Sequence, residues 1–503
     1  MAYIESSIES KDVLVFHNVE WSNDFKVFKE RPNIENIKYP LDDYADNKAQ
    51  FFFDKKLKSF KEVNNDIENV IKITSNLLDL MEKIEEIGYK FFMIDPKSIY
   101  FDQDLNPYIF LYYPIFSEYD MVEIKKFNMP ISIKSKISKF DLNNSYLIAE
   151  IFARILFGDD YISIEKTKDK KYYVKEKLKE IGEFDLQYWF KKSLYNDYSI
   201  KQSKEMFLKS LERRKKRKTQ KKLIEKIARA VKSSEGSKKL KEDDDYLDDV
   251  NQDAWFRDIY YEKAIFAVMD GVSTAKVGNG QIASNIVKEV LSKKWNVFKE
   301  KEFNSESVKE FIEDVLNESN EKILIKAKEI KKDFNPKDVM ASTLALVILY
   351  NDNLYIASVG DSNISILNKD YILEMNIEQN IKREKIINKK NLKDKDSALT
   401  EYIGKYKLLE NEIISEKINY FYSETKLLDD EIVLVSSDGV LDYWKGEEDN
   451  KEDFFKEDFF KIYSNYNKLK VTAIKIICIL ESNEAADNIT LHLFKPLFKE
   501  ELK

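Results

Sequence analysis

AIFAVMDGVSTAKVGNGQIAS, Ala264 to Ser284, begins as an apolar run and stops on a carboxylate followed by glycine. Ala264, Ile265, Phe266, Ala267, Val268 and Met269 read as a strand buried on both faces. Asp270 then stands at its mouth, where an anion is partly desolvated and needs a cation or a set of donors to compensate it. The same conjunction recurs along the chain. Asp253 lies in VNQDAWF, Asp361 in IASVGDS, Asp438 in LVSSDG, and Asp487 in EAADNIT just before a strand. Taken singly, each of these also reads as a turn. Together they point to a divalent cation, because magnesium and manganese prefer oxygen donors and a neighbouring glycine lets a main-chain carbonyl approach the ion.

The composition agrees with oxygen-based chemistry. The chain has 503 residues, 43% of them hydrophobic, enough for two or three domains with real cores. Acidic and basic residues number 91 and 83, a net charge of only −8, so no global field points to nucleic acid or an anionic membrane. Two histidines, His17 and His492, cannot build a histidine cluster, and one cysteine can form neither an intramolecular disulfide nor a cysteine metal site. Cys478, inside IKIICIL, is expected to be buried. A lone thiol, an amino terminus without a signal pattern and the lack of any long apolar run together give the expectation of a cytoplasmic protein.

One compositional break divides the chain. LERRKKRKTQKK, Leu211 to Lys222, is almost pure positive charge and is followed by a polar stretch that ends strongly acidic. No aromatic residues interleave the basic run, so it reads as a solvated inter-domain helix or linker rather than a nucleic-acid arm. Downstream, two amphipathic helices follow the opening strand, with Ile282, Ile286, Val287, Val290 and Leu291 on one face and Val308, Phe311, Ile312 and Val315 on the next. STLALVIL, LYIASVG, NISIL and YILEM then succeed one another across short turns, which predicts antiparallel hairpins. EIVLVSS is a further strand, KVTAIKIICIL a helix and NITLHLF a last strand. Strands in hairpins with helices in long excursions give an α+β layered fold.

The order NQD, MDG, STLAL with VGDS, LT with G, SSDG and DNIT, between roughly Ile224 and Pro496, resembles the metal-dependent type 2C protein serine/threonine phosphatase family. The resemblance implies an αββα sandwich of antiparallel sheets flanked by helices over residues 223–503. It implies two Mn2+ or Mg2+ ions, with a third bound more weakly. Asp253, Asp270 and the Gly271 carbonyl would hold one ion, and Asp270, Asp438 and Asp487 the other, with Asp361 in the third site. Those four aspartates, 253, 270, 438 and 487, would then carry catalysis by a metal-bridged hydroxide attacking phosphoserine or phosphothreonine of a protein substrate. Thr343 and Leu399 to Gly404 match structural segments of the family, and Asp442 a position behind the ligands.

Three departures bear on activity. The family's phosphate-clamping arginine falls at Asp248, with Lys238 or Lys239 as substitutes. DGVSTAKVGNG lacks the family's histidine, leaving Lys276 as either a phosphate contact or a solvated side chain. Asn363 stands where GDSR has arginine. With all five acids kept, the sequence predicts metal binding with reduced or substrate-restricted turnover; the rival from another class is a signalling scaffold that retains the fold without turnover.

Residues 1–210 read as a mixed, mostly helical domain with a regulatory role. IDPKSIYFD and FARILFG resemble parts of a protein kinase C-lobe without its HRD, catalytic asparagine or DFG, which implies a pseudokinase and a partner kinase; an unrelated α+β domain is the other reading. Neither nucleic acid nor membrane is expected as a partner.

Overall fold

The computed structural model describes residues 5–10, 13–17, 34–39, 49–54, 56–59, 61–91, 98–111, 115–117, 144–164, 167–194, 198–235, 251–388, 398–410, 412–445, 451–485 and 487–499. The expected phosphate-clamp position, Asp248, and the candidates Lys238 and Lys239 lie outside these residues, as does most of IDPK and LYYP. The chain divides into two compact units, Met1–Val174 with Leu186–Glu212, and Lys175–Asp185 with Arg213–Lys503.

The first unit combines helices with small sheets. Helix α1 (Ile67–Glu86) starts at Asp66, whose carboxylate accepts the Asn69 amide at 3.0 Å, and buries Val70, Ile73, Leu77, Met81 and Ile84 at helical spacing. It packs on α2 (Asn144–Ile162), where Gly158 leaves the helical conformation at φ 57°. Trp189 sits edge-on to Phe152 at 5.3 Å and against Phe207 at 4.7 Å, joining α2 to α4 (Phe184–Ser193) and α5 (Ile200–Thr219). Short strands β1 (Glu5–Ser10), β2 (Val13–His17) and β4 (Ala49–Phe52) form one sheet; β3 (Ile37–Lys38), β8 (Pro107–Phe110), β7 (Ile99–Phe101) and β5 (Lys58–Ser59) form another; β6 (Tyr89–Phe91) pairs with β9 (Ile115–Ser117).

The second unit is the αββα sandwich that the sequence predicts. One antiparallel sheet orders β11 (Ala254–Tyr260), β12 (Lys263–Met269), β13 (Leu344–Tyr350), β14 (Asn353–Val359) and β19 (Phe421–Lys426). The other orders β10 (Ile224–Ser234), β21 (Ile489–Phe498), β20 (Ile432–Ser436), β15 (Asn363–Leu367) and β16 (Ile372–Glu374). The period-2 alternation of β12 explains its unbroken apolarity. Ile265, Ala267 and Met269 face helices α6 (Gly280–Phe298) and α7 (Ser305–Ile330), while Phe266 on the opposite face stacks on Phe494 at 4.0 Å across the two sheets. On the far side Leu434, Leu491 and Leu493 pack under α10 (Lys451–Tyr466) and α11 (Leu469–Ser482).

Two expectations are corrected. Cys478 is exposed, because at helical spacing Ile476, Ile477 and Leu480 take the inward face of α11 and turn residue 478 outward. The basic run is not simply a solvated linker. Helix α5 continues through it to Thr219, and Arg217 is buried, bonded to Asp185 at 2.9 Å and to Glu431 at 2.8 Å. No helix among the described residues is long and apolar enough to cross a membrane.

Candidate metal centre

Strand register brings the five aspartates to one rim. Ala254 pairs with Met269, Val268 with Ala345 and Leu344 with Val359, so the start of β11 and the ends of β12 and β14 share an edge of the first sheet. Asp253, Asp270 and Asp361 lie there. Ser436 pairs with Leu491, which places the end of β20 beside the start of β21, and with them Asp438 and Asp487.

The surrounding residues fix these acids in place. The Asp270 amide donates to Thr343 Oγ1 at 3.0 Å, and the Thr343 amide donates to the Asp270 carbonyl at 2.8 Å. Ser437 Oγ donates to Asp253 Oδ2 at 3.0 Å and accepts the Thr490 amide at 3.0 Å, joining the two sheets at the site. Asn488 receives the Gln252 amide at 3.0 Å. Gly271 packs flat against Gly280 at the start of α6, where an added Cβ would stand 2.4 Å from Gly280 backbone atoms and 2.6 Å from the Gln252 carbonyl. No side chain fits in that place.

The electrostatics are those of anions crowded together. Burial first, and then the charges of Asp253, Asp438, Asp487 and Asp361, push Asp270 well above the usual carboxylate range. Asp438 is raised likewise, by burial and then Asp361, Asp487 and Asp442. Burial raises Asp253 to about 6 and Asp361 to about 7, the latter also beside Glu378. Asp270 faces the charges of both Asp253 and Asp438, a crowding of anions that a bound cation would relieve. Asp442 is raised by burial, which Lys451 and Lys382 oppose.

These residues fit a divalent cation. Asp253 Oδ1, Asp438 Oδ1 and Gln252 Oε1 are buried with no hydrogen-bond partner among the described residues, and the donors are all oxygen, mostly anionic. Among the described residues no three acid, histidine or cysteine side chains close on a single point as a finished cage. Lys276 is 76% exposed and paired with Asp338 at 3.1 Å. Asn363 is buried in β15 opposite Ser436. Sequence reasoning missed Ser437, Asn488, Gln252 and Ser362, and assigned Thr343 only a structural part.

Two antiparallel sheets with helices outside thus carry a set of carboxylates gathered at one rim. Residues 246–473 match the model of the protein phosphatase 2C family. A protein of Mycoplasma genitalium, provisionally named a protein phosphatase, is 26% identical over 249 residues, 48% of this chain and 88% of that protein. The S. agalactiae serine/threonine phosphatase structure is 17% identical, covers 54% of this chain and 99% of its own, and superposes with a TM-score of 0.42. The catalytic domain of the phosphatase PstP, solved with two manganese ions, is 15% identical and covers 54% and 98%, with a TM-score of 0.38. Nothing in these comparisons supports the kinase-like reading of residues 1–210.

Proposed function

We propose that residues 223–503 hydrolyse phosphoserine and phosphothreonine in proteins, dependent on Mn2+ or Mg2+, and that residues 1–210 regulate this activity. The observation that carries the proposal is the uncompensated acid cluster: Asp270 between Asp253 and Asp438, with unpartnered buried oxygens on the latter two. Asp253, Asp270 and the Gly271 carbonyl would hold one cation, Asp270, Asp438 and Asp487 the second, and Asp361 a third. Bound there, such ions lower the pKa of water and offset charge on the phosphoryl oxygens.

The chain's own residues supply preorganisation. Ser437 holds one oxygen of Asp253 and leaves the other free, while Thr343 fixes the backbone from which the Asp270 carboxylate projects. The Gly271–Gly280 contact brings the start of α6 against the end of β12. His492 is buried between the sheets beside Trp255 and Phe266, so it plays no part in proton transfer at the rim. In the net reaction the water oxygen joins phosphorus, the bond from phosphorus to the serine or threonine oxygen breaks, and that oxygen takes up one of the protons of the water.

The full chain should hydrolyse p-nitrophenyl phosphate and a phosphothreonine peptide with added Mn2+, and Asp270→Asn should fall to the protein-free background. Equal rates from the two proteins would overturn the proposal. Mn2+ uptake without turnover would favour the scaffold reading, which the missing clamp arginine motivates.

A further inference from the structure

Asn376 follows β16 in a stretch that no sequence motif marks. Its side chain accepts the Ile364 amide at 2.8 Å and donates to the Ser362 carbonyl at 2.8 Å, so it braces the residues immediately after Asp361. Ser362 Oγ lies 2.7 Å from Thr343 Oγ1, the atom that accepts the Asp270 amide. On its other side, the Asn376 carbonyl accepts Lys179 Nζ at 2.8 Å.

Lys179 sits in the last turn of α3 (Thr167–Glu180), well before the family-matching stretch begins at residue 246. It is only 2% exposed, and its ammonium also meets Glu374 at 2.9 Å and Glu176 at 2.6 Å. Its neighbours reinforce the connection. Arg383 of α8 (Ile381–Ile387) bonds Glu176 at 3.1 Å and Glu180 at 2.7 Å. Gln379 exchanges two hydrogen bonds with Gly360, each 2.9 Å, directly before Asp361. The end of α3, residues 374–383 and the Gly360–Ile364 turn are therefore one hydrogen-bonded body. Charge-assisted bonds to a buried ammonium are the strongest links in it; their removal would take the donor from the Asn376 carbonyl and leave Glu374 to Lys175 and Glu176 to Arg383.

We infer that Lys179 is a positioning residue for the acid site, setting the Asp361 turn through Asn376 and Ser362, and the Asp270 backbone through Thr343. The inference rests on the metal-site reading above. Lys179 belongs to the same compact unit as the acids and acts without touching substrate.

The test uses the full chain and two readouts, amide hydrogen exchange over residues 358–366 and Mn2+ uptake by calorimetry. Lys179→Met should speed exchange at residues 360–364 about tenfold or more and weaken Mn2+ uptake by about tenfold. Asn376→Asp keeps Lys179 but turns a carboxylate toward the Ser362 carbonyl, and should give the same pattern even if Lys179→Met fails to fold. Lys222→Ala removes a different, partly exposed cation of the same unit and should leave exchange at 360–364 at the wild-type rate. The inference is overturned if Asn376→Asp exchanges there like the wild type, if Lys222→Ala matches Lys179→Met, or if exchange rises while Mn2+ uptake is unchanged. A wild type that neither takes up Mn2+ nor hydrolyses phosphate sinks the metal-site reading instead, and the exchange comparison then decides whether Lys179 holds the turn.

Discussion

Thr343 and Asp270 exchange a reciprocal pair of hydrogen bonds at the start of β13 and the end of β12: amide to hydroxyl at 3.0 Å, and amide to carbonyl at 2.8 Å. The hydroxyl also reaches Ser362, so one buried side chain fixes two of the turns that carry acids.

Thr343→Val keeps the shape and deletes the hydroxyl. It should weaken Mn2+ binding by about 10–100-fold, the usual cost of losing an outer-sphere partner. Thr343→Ser should retain most of the affinity. Isothermal titration of both variants checks this, and equal affinity for Val and wild type would show that the hydroxyl does not orient the site.

Gly271→Ala should overpack the junction of β12 and α6, because the new methyl would overlap Gly280 backbone that cannot swing aside. The expected loss is about 1–3 kcal/mol. Urea unfolding followed by tryptophan fluorescence measures it, with a lower midpoint expected.

His492 supplies a pH dependence away from the acids. Full burial, and then the charge of Arg257, lower its pKa from 6.5 to about 3, and both ring nitrogens lack a hydrogen-bond partner among the described residues. The folded state therefore keeps the ring neutral while the unfolded chain binds a proton below about pH 6.5. Stability contributed by this group is present above 6.5 and is lost as pH falls toward 3, with a slope approaching about 1.4 kcal/mol per pH unit. His492→Phe should flatten that limb of the stability profile, measured by urea unfolding at pH 4.5, 5.5 and 7.

Two ion pairs of the second unit should differ sharply. Arg217 and Glu431 are both buried, so Arg217→Met leaves an uncompensated carboxylate and should cost about 3–5 kcal/mol. Lys222 pairs with Asp429, which is 63% exposed, and Lys222→Ala should cost only about 0–1 kcal/mol. Comparable unfolding midpoints for the two variants would refute the ranking.

Much of the site could be read from the chain because strands and acids leave local marks. An apolar run such as Ala264–Met269 declares a strand covered on both faces, and Asp270 after it marks where that strand ends. Spacing alone was enough to mark five such ends. It could not mark Ser437, Asn488 or Asn376, because a serine or asparagine in a loop looks the same whether it faces water or a buried acid. Cys478 and Arg217 show the same limit from opposite directions: an apolar run hid a solvent-facing position, and a basic run hid a buried one.

What the sequence determined by itself was the hydrophobic periodicity of the sandwich and the identity of the acids, since both are properties of neighbouring residues. Tertiary structure decided which edges coincide, through register pairs such as Ala254 with Met269 and Ser436 with Leu491. It also decided that a lysine in the last turn of α3 reaches the carbonyl behind the Asp361 turn. Long-range pairing is fixed by the summed packing of whole strands and helices, so no short stretch of residues contains it.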